Sequence, residues 1–247
     1  MIEYLEWDSD FFCISVGSVR NRITSKSDLD SMLCDMRESN LNLVYVTLPM
    51  DRPDLITRIL RERGAILADT RAEMAIDLKR YHSSKAVTQS TDYILRTAEN
   101  EDAASIGELA SYCFRGLTRF YRDPRLNDER CDELYRTWAE RDIRKRENLS
   151  LLCTTDGRLA GFCTAEITGN EDARIGLIGI TPDFRGFGIG QVLLKKTAGM
   201  LGDKGCGQLV AVTQLASIGA MRMYERAGFL LREISIVVHL WQDVEGI

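Results

Sequence analysis

The segment from Ile178 to Leu194 constrains the fold of this chain more than any other. A short apolar run there leads into a glycine-rich turn, and an amphipathic helix follows the turn. The alternating glycines are Gly186, Gly188 and Gly190. Glycine lets the backbone approach a ligand without an intervening side chain, and the start of a helix favours a phosphate. With Arg185 at its mouth, the turn predicts a phosphate-binding site between a strand and a helix.

Other phosphate-binding turns fit this segment less well. A Rossmann turn follows the first strand of a dinucleotide domain, whereas this turn lies in the last third of the chain and follows a hairpin. A Walker A loop ends in Gly-Lys-Ser/Thr, whereas this one ends in Gly190-Gln191-Val192. A plain connection would need neither the arginine nor three alternating glycines. The pattern therefore favours a phosphate site of a different class.

Strand and helix patterns alternate along much of the chain. Strands are predicted at 43–48, 72–78, 93–97, 151–154, 159–167, 173–180, 209–213 and 234–241. Helices are predicted at 53–63, 101–114, 128–145, 190–201 and 217–227. Asp156-Gly157 is a favoured hairpin turn. A hairpin inside an alternating pattern predicts an α/β fold with a mixed sheet and helices on its faces.

The polar, aperiodic stretch 79–92 is the best candidate for a linker. It predicts a small α/β domain over residues 1–82 and a larger domain over residues 93–247. The strand and helix that end at Gly64 are similar to those that end at Gly228. Two explanations stay open: a duplicated half of the larger fold, or a chance likeness between two strand–helix units.

Composition excludes several classes of function. The formal net charge of the 247-residue chain is −5, which does not favour general nucleic-acid binding. No apolar run approaches the roughly 20 residues that span a bilayer, and no secretory signal is visible. The seven cysteines include no C-x-x-C pair, and the histidines are His82 and His239. We expect reduced core thiols, structural or solvent-facing histidines, no metal site, no Cys-His dyad, no membrane partner and a cytoplasmic location. The oligomeric state is open, with a homodimer among the alternatives.

The segment Arg185 to Gly190 matches the acetyl-CoA motif of the GNAT superfamily, Arg/Gln-x-x-Gly-x-Gly/Ala. The segment 220–229 resembles the second signature of that superfamily. Ser217 stands where the family usually has asparagine; a serine caps a helix, but its reach to coenzyme A is in question. The resemblance covers Tyr93 to the C-terminus and implies a GNAT N-acyltransferase fold, preceded by a smaller α/β domain that resembles a partial GNAT unit. It implies acetyl-CoA as co-substrate, bound by Ile178, Gly179, Ile180, Arg185, Gly186, Phe187, Gly188, Ile189, Gly190 and Ser217.

Acetyl transfer from a thioester needs a positioned thioester, a neutral amine and a proton donor for the thiolate. The resemblance implies that edge N–H groups at 178–180 hold the pantetheine arm. Tyr224 is the best candidate for the acid; the alternative is a tyrosine packed at a helix end. Glu166 is a candidate base, but is equally typical of a surface glutamate. An amine of pKa near 8 is about one tenth neutral at pH 7, whereas a lysine near 10.4 costs roughly 4–5 kcal/mol to deprotonate. The lack of a strong base therefore favours a weakly basic amine.

The segment 114–124 joins two predicted helices and is rich in arginine and aromatic residues. Arg119, Phe120 and Tyr121 are predicted to bind the diphosphate and base of a nucleotide. A solvated basic loop with buried rings is the alternative. Short segments at 114–121, 172–177 and 213–214 are similar to TDP-fucosamine acetyltransferases, which implies a nucleotide-linked amino sugar as a small-molecule acceptor. Alternative acceptors stay open, namely a protein N-terminus, a polyamine or an amino acid. An alternative function also stays open, that of an acyl-CoA sensor without catalytic activity.

Overall fold

The computed structural model describes residues 2–20, 22–79, 81, 93–169 and 172–242. Its contacts form two compact units, each built from separate stretches of the chain. Unit 1 comprises Met1–Ala72, Thr118–Leu126 and Glu233–Ile247, and unit 2 comprises Glu73–Leu117 and Asn127–Arg232. Most of the predicted linker, with His82, lies outside the described residues. The predicted domain boundary between residues 82 and 93 therefore stays a prediction.

Unit 1 contains a sheet and helices, and its core is mainly aliphatic with the buried rings of Tyr45 and Phe120. Its strands are β1 (Ile2–Tyr4), β2 (Val16–Val19), β3 (Leu43–Pro49) and parts of β4 (Ala65–Asp77) and β10 (Leu230–Trp241); its helices are α1 (Glu6–Phe12), α2 (Lys26–Glu38) and α3 (Pro53–Ile59). The strand order is β1-β2-β3-β10-β4, with β2 parallel to β3 and β10 antiparallel to β3. The patterns at 43–48 and 234–241 predicted β3 and β10 correctly, whereas β1, α1, β2 and α2 were not predicted.

Strand β4 begins at Ala65, seven residues before its predicted start at Ala72. The prediction missed the first part of the strand because charged residues interrupt its apolar pattern. One of these, Asp69, is 4% exposed and accepts a hydrogen bond from the Arg122 guanidinium over 3.1 Å. A buried carboxylate needs such a partner. That partner is distant in sequence, so local patterning does not reveal the first half of the strand.

Unit 2 contains a mixed sheet with helices. Its strands are β5 (Ile94–Thr97), β6 (Leu149–Thr155), β7 (Arg158–Thr168), β8 (Asp172–Ile180) and β9 (Gln208–Gln214), with the remainder of β4 and β10; its helices are α4 (Ala103–Phe114), α5 (Asp128–Arg144), α6 (Ile189–Asp203) and α7 (Ile218–Arg226). The order is β4-β9-β8-β7-β6-β5, with β8 parallel to β9 and the β5 to β8 neighbours antiparallel. The predicted mixed sheet is confirmed.

The two faces of β7 meet different helices. Cys163 and Ala165 belong to the core that contains Leu193 of α6. Thr164 faces the other way, where its hydroxyl contacts Asp142 of α5. Alternate residues of a strand point to opposite faces, so the sheet has an α6 face and an α5 face here.

The predicted hairpin turn and the free thiols are found in the described residues. Asp156 and Gly157 both have positive φ, 50° and 73°, as a type I′ hairpin requires. All seven cysteines are free thiols, and five of them are buried. Across the described ranges, no helix is long and apolar enough to cross a membrane, and no cluster of three metal-ligating side chains occurs.

Candidate active site

The glycine-rich turn connects β8 to α6 and leaves open space above its backbone. Gly186 and Gly188 have φ values of 88° and 84°, in the left-handed region that L side chains rarely adopt. No described atom lies within 4 Å of the position that a Cβ would occupy at either glycine. Gly188 is the N-cap of α6, so the free N–H groups of the first helical turn begin here. The geometry suits an anion that approaches the backbone closely.

Other residues of the turn have different roles. A Cβ at Gly190 would lie 2.3 Å from Met223 Sδ, so this glycine allows α6 to pack against α7. Ile189 is 4% exposed, which leaves only its backbone for a ligand, whereas Phe187 is 78% exposed. Gly190 therefore has a packing role, and the assignment of Phe187, Ile189 and Gly190 to cofactor binding stays a prediction.

Arg185 reaches back to the end of β8. Its Nε donates to the Ile180 carbonyl oxygen over 3.1 Å, and the Cys113 thiol donates to the same oxygen over 3.4 Å. Burial raises the pKa of the Cys113 thiol, while the Arg185 charge opposes this rise. Arg185 is exposed, so its charge remains at the mouth of the turn.

Strands β8 and β9 separate after a short paired section. The register joins Asp172–Arg174 with Gln208–Val210, and no described residue beyond these is paired between the two strands. Ile178 to Ile180 are paired with β7 along one edge only. The opposite edge of β8 therefore offers backbone N–H and C=O groups to a ligand, in a groove that leads to the glycine-rich turn.

Tyr224 of α7 lies on the α6 face beside this groove. Its ring meets Phe229 edge to face at 5.2 Å, and it lies near Cys163, which is paired with Ile178 of β8. Burial raises the pKa of Tyr224 above that of a free phenol, and the Cys163 thiol raises it further. No described residue forms a hydrogen bond with the hydroxyl. The phenol is therefore neutral, with a proton that no described partner holds.

Two further candidates are Ser217 and Glu166. Ser217 is the N-cap of α7, and its side chain makes no capping hydrogen bond within the described chain, so its role in binding coenzyme A stays a prediction. Glu166 lies on β7 directly opposite Arg174, on the α5 face rather than on the face of Tyr224. Because alternate residues point to opposite faces, Glu166 and Tyr224 approach the groove from different sides.

The predicted substrate residues belong to unit 1. Phe120 is 1% exposed and stacks with Phe12, which corrects the expectation of an open ring. The Arg119 guanidinium lies 4.0 Å from the Tyr45 ring centroid and 4.4 Å from that of Phe120. No described carboxylate forms an ion pair with Arg119, whereas Arg122 has one with Asp69. Tyr121 is half-buried. The rings therefore hold a guanidinium whose charge is available to an anion.

A model of the acetyltransferase (GNAT) family matches residues 114–229, which contain the turn, the groove and Tyr224. This segment belongs to the acetyltransferase (GNAT) family. The matched segment begins at the end of α4 and includes the two motifs on which the resemblance was based.

Relatives and solved structures agree with this assignment. The chain is 25% identical over 148 residues to the spore coat polysaccharide biosynthesis protein SpsD of Bacillus subtilis, covering 60% of this chain and 50% of SpsD; it thus spans half the length of that relative. A GCN5-related N-acetyltransferase from Sphaerobacter thermophilus superposes with a TM-score of 0.64 at 17% identity, covering 97% of this chain and 76% of that one. A tandem GNAT protein from the clavulanic acid biosynthesis pathway superposes with a TM-score of 0.62 at 14% identity, covering 92% of this chain and 75% of that one. The structural likenesses confirm the expected GNAT fold, and duplication within this chain stays a hypothesis.

One buried network of unit 1 was not predicted. Asp123 Oδ2 accepts from His239 Nδ1 over 2.6 Å and from Trp241 Nε1 over 2.9 Å, and Oδ1 accepts from the Arg125 N–H. Burial lowers the pKa of His239, so its ring is neutral. Burial tends to raise the pKa of Asp123, but these hydrogen bonds hold it below its usual value. The charged Asp123 thus fixes the segment that carries Arg119 to β10.

Replacing Asp123 with alanine should lower the free energy of unfolding by about 3 kcal/mol or more, because buried donors lose their acceptor. Chemical denaturation with urea measures this change. Asp203→Ala, which removes an exposed carboxylate, should change stability by less than about 0.5 kcal/mol. Equal stability of the two variants would show that the Asp123 network contributes little.

Proposed function

We propose that this GNAT protein transfers the acetyl group of acetyl-CoA to the amino group of a nucleotide-linked amino sugar. The observation that carries the transfer reaction is the separation of β8 from β9 beside Tyr224, in a groove that leads to the glycine-rich turn. Within unit 2 these features supply a place for the phosphates, a free strand edge for the arm, and a neutral phenol.

The groups of the groove match the demands of the reaction. Backbone N–H groups at Gly186 to Gly188 and at the start of α6 bind the pyrophosphate of the co-substrate. The free edge of β8 at 178–180 holds the pantetheine arm and donates hydrogen bonds to the thioester oxygen as negative charge develops on it. Tyr224 then donates its proton to the departing thiolate, whose pKa near 8.5 is below that of a phenol.

Two observations support an amino sugar joined to a nucleotide. Arg119 has no ion pair with a described residue and lies close to the rings of Tyr45 and Phe120, and guanidinium groups bind phosphates through paired N–H donors. The relative SpsD is a spore coat polysaccharide biosynthesis protein. Both point to an acceptor that combines a sugar with an anionic group.

A panel of amines tests the proposal. The full-length protein is mixed with acetyl-CoA and each amine in turn, and release of the coenzyme A thiol is followed with a thiol reagent. The panel contains a TDP-linked amino sugar, the free amino sugar, a polyamine, an amino acid and a peptide with a free N-terminus. We expect turnover to be fastest with the TDP-linked sugar. Faster turnover of the peptide or polyamine would contradict the acceptor, and saturable acetyl-CoA binding without turnover of any amine would contradict the reaction.

Replacing Arg119 with alanine should raise KM for the TDP-linked amino sugar by about 10-fold or more, because a charge-assisted hydrogen bond contributes roughly 1.5–3 kcal/mol. The KM for the free amino sugar and the Kd for acetyl-CoA should not change. Steady-state kinetics and calorimetry measure these constants. Arg22→Ala, which removes an exposed arginine paired with Glu233, is the control. An equal rise in KM for both sugars would contradict recognition of the diphosphate.

A further inference from the structure

A second titratable group of unit 2 lies close to the separated part of β8. Asp142, near the C-terminal end of α5, accepts a hydrogen bond at Oδ2 from the Thr164 hydroxyl over 2.9 Å. The Thr164 oxygen in turn accepts from the Leu177 N–H over 2.9 Å. Asp142 Oδ1 has no hydrogen-bond partner among the described residues. One carboxylate oxygen is therefore fixed, and the other remains able to accept a proton.

An irregularity in β8 brings the strand to this carboxylate. Cys163 pairs with Ile178 and Ala165 with Ile175, so two steps along β7 correspond to three along β8. The extra residue makes a β-bulge at Gly176 and Leu177, and the Thr164 hydroxyl takes the N–H of Leu177. Bulges of this kind often lie next to active sites.

Gly176 allows the close approach of Asp142. A Cβ at this position would lie 2.7 Å from Asp142 Oδ2 and 2.7 Å from Thr164 Oγ1, closer than packed atoms tolerate. Leu177 lies directly before Ile178, in the part of β8 that has no pairing with β9. The Asp142 carboxylate therefore lies at the bulge that directly precedes residues 178–180, the segment proposed to hold the thioester.

Asp142 and Tyr224 lie on opposite faces of the sheet. Asp142 contacts Thr164 on the α5 face, whereas Tyr224 lies near Cys163 on the α6 face. Beyond Arg174 no described residue of β8 is paired with β9, so a free edge of β8 lies between the two faces. An amine that attacks from one side and a thiolate that leaves toward the other would each meet a separate titratable group.

We infer that Asp142 is the catalytic base, which accepts a proton from the ammonium group of the acceptor on the α5 face. This inference rests on the proposed function. The N–H bond of the ammonium breaks and its proton moves to Asp142; the nitrogen lone pair then forms the N–C bond to the thioester carbon. The C–S bond breaks, and the thiolate takes the proton of Tyr224. Tyr224 recovers the proton that the new amide nitrogen loses, and Asp142 releases its proton to water.

The charges around Asp142 suit this role. Burial raises the pKa of Asp142 above its usual value, and the Thr164 hydrogen bond opposes the rise. Arg141 on α5 and Lys145 just beyond its end also lower the pKa, whereas Glu166 on β7 raises it. A carboxylate with a higher pKa is closer to that of an ammonium group, so proton transfer costs less. Glu166, the base suggested by the sequence, shares the α5 face but makes no described contact with the bulge.

The test compares Asp142→Asn with the wild type in the full chain. The asparagine amide oxygen still accepts from Thr164, so the change removes the base and keeps the hydrogen bond. We expect kcat at pH 7 to fall about 100-fold, with an unchanged Kd for acetyl-CoA. The deficit should shrink between pH 7 and pH 9, because more of the amine loses its proton in solution. A merely structural role would not make the deficit depend on pH in this way.

Two further variants complete the test. Glu140→Gln, on the same helix and paired with Arg144, should keep the wild-type rate, and Asp142→Glu should regain part of the rate because it restores a carboxylate. A rate for Asp142→Asn equal to that of Glu140→Gln would overturn the inference and leave the proposed function intact. The inference would also be overturned if Glu166→Gln, rather than Asp142→Asn, showed the pH-dependent loss of rate. Absence of turnover in the wild type with every amine would reject both proposals.

Discussion

Gly188→Val should weaken acetyl-CoA binding at least about 100-fold, because two charge-assisted hydrogen bonds to the pyrophosphate contribute roughly 3 kcal/mol together. The structure leaves no described atom within 4 Å of a Cβ at this position, so the branched side chain would occupy space that the ligand needs. A φ of 84° also strains a β-branched residue. Calorimetric titration of the folded variant with acetyl-CoA measures the loss.

A matched control separates the two effects. Gly205, just beyond the other end of α6, has a φ of 88° and also has no described atom within 4 Å of a Cβ. Gly205→Val therefore introduces comparable backbone strain far along the helix from the turn. We expect it to lower stability by roughly 1–2 kcal/mol and to keep the Kd for acetyl-CoA. Equal affinity in the two variants would show that the turn does not bind the phosphates.

Tyr224→Phe should lower kcat by about 100-fold and leave the Kd for acetyl-CoA nearly unchanged. The substitution removes one oxygen from a side chain that is 2% exposed and keeps the ring contact with Phe229, so the core remains filled. What is lost is the proton for the thiolate. Because burial raises the pKa of Tyr224, the phenol stays protonated throughout the neutral range and its rate contribution should not fall between pH 7 and pH 9.

Single-turnover and steady-state rates of thiol release measure this effect. Tyr112→Phe, which changes a tyrosine that is 62% exposed, is the control and should keep the wild-type kcat. A kcat for Tyr224→Phe within about threefold of the wild type would show that Tyr224 has a packing role, since an acid catalyst contributes about 10²-fold or more.

Local sequence patterns were sufficient to predict the elements that form the proposed cofactor groove. Glycine spacing predicted the turn at Gly186 to Gly188, and apolar alternation predicted β8 and β9, since both signals arise within a few residues. One local signal was missed: Ser25 and Asp28 form a capping box at the start of α2, although this pattern is visible in the sequence.

Contacts between residues far apart in sequence decided the rest. The Asp123–His239 pair spans 116 residues, and the Asp142–Thr164 hydrogen bond joins a helix to a strand. The packing role of Gly190 depends on Met223 of another helix. The sequence by itself determined the family, the main strands and helices, and the turn, because these depend on periodicity and on local backbone preferences. Only the tertiary structure decided which carboxylates are buried and which lie beside the groove, because burial and hydrogen-bond partners come from distant segments.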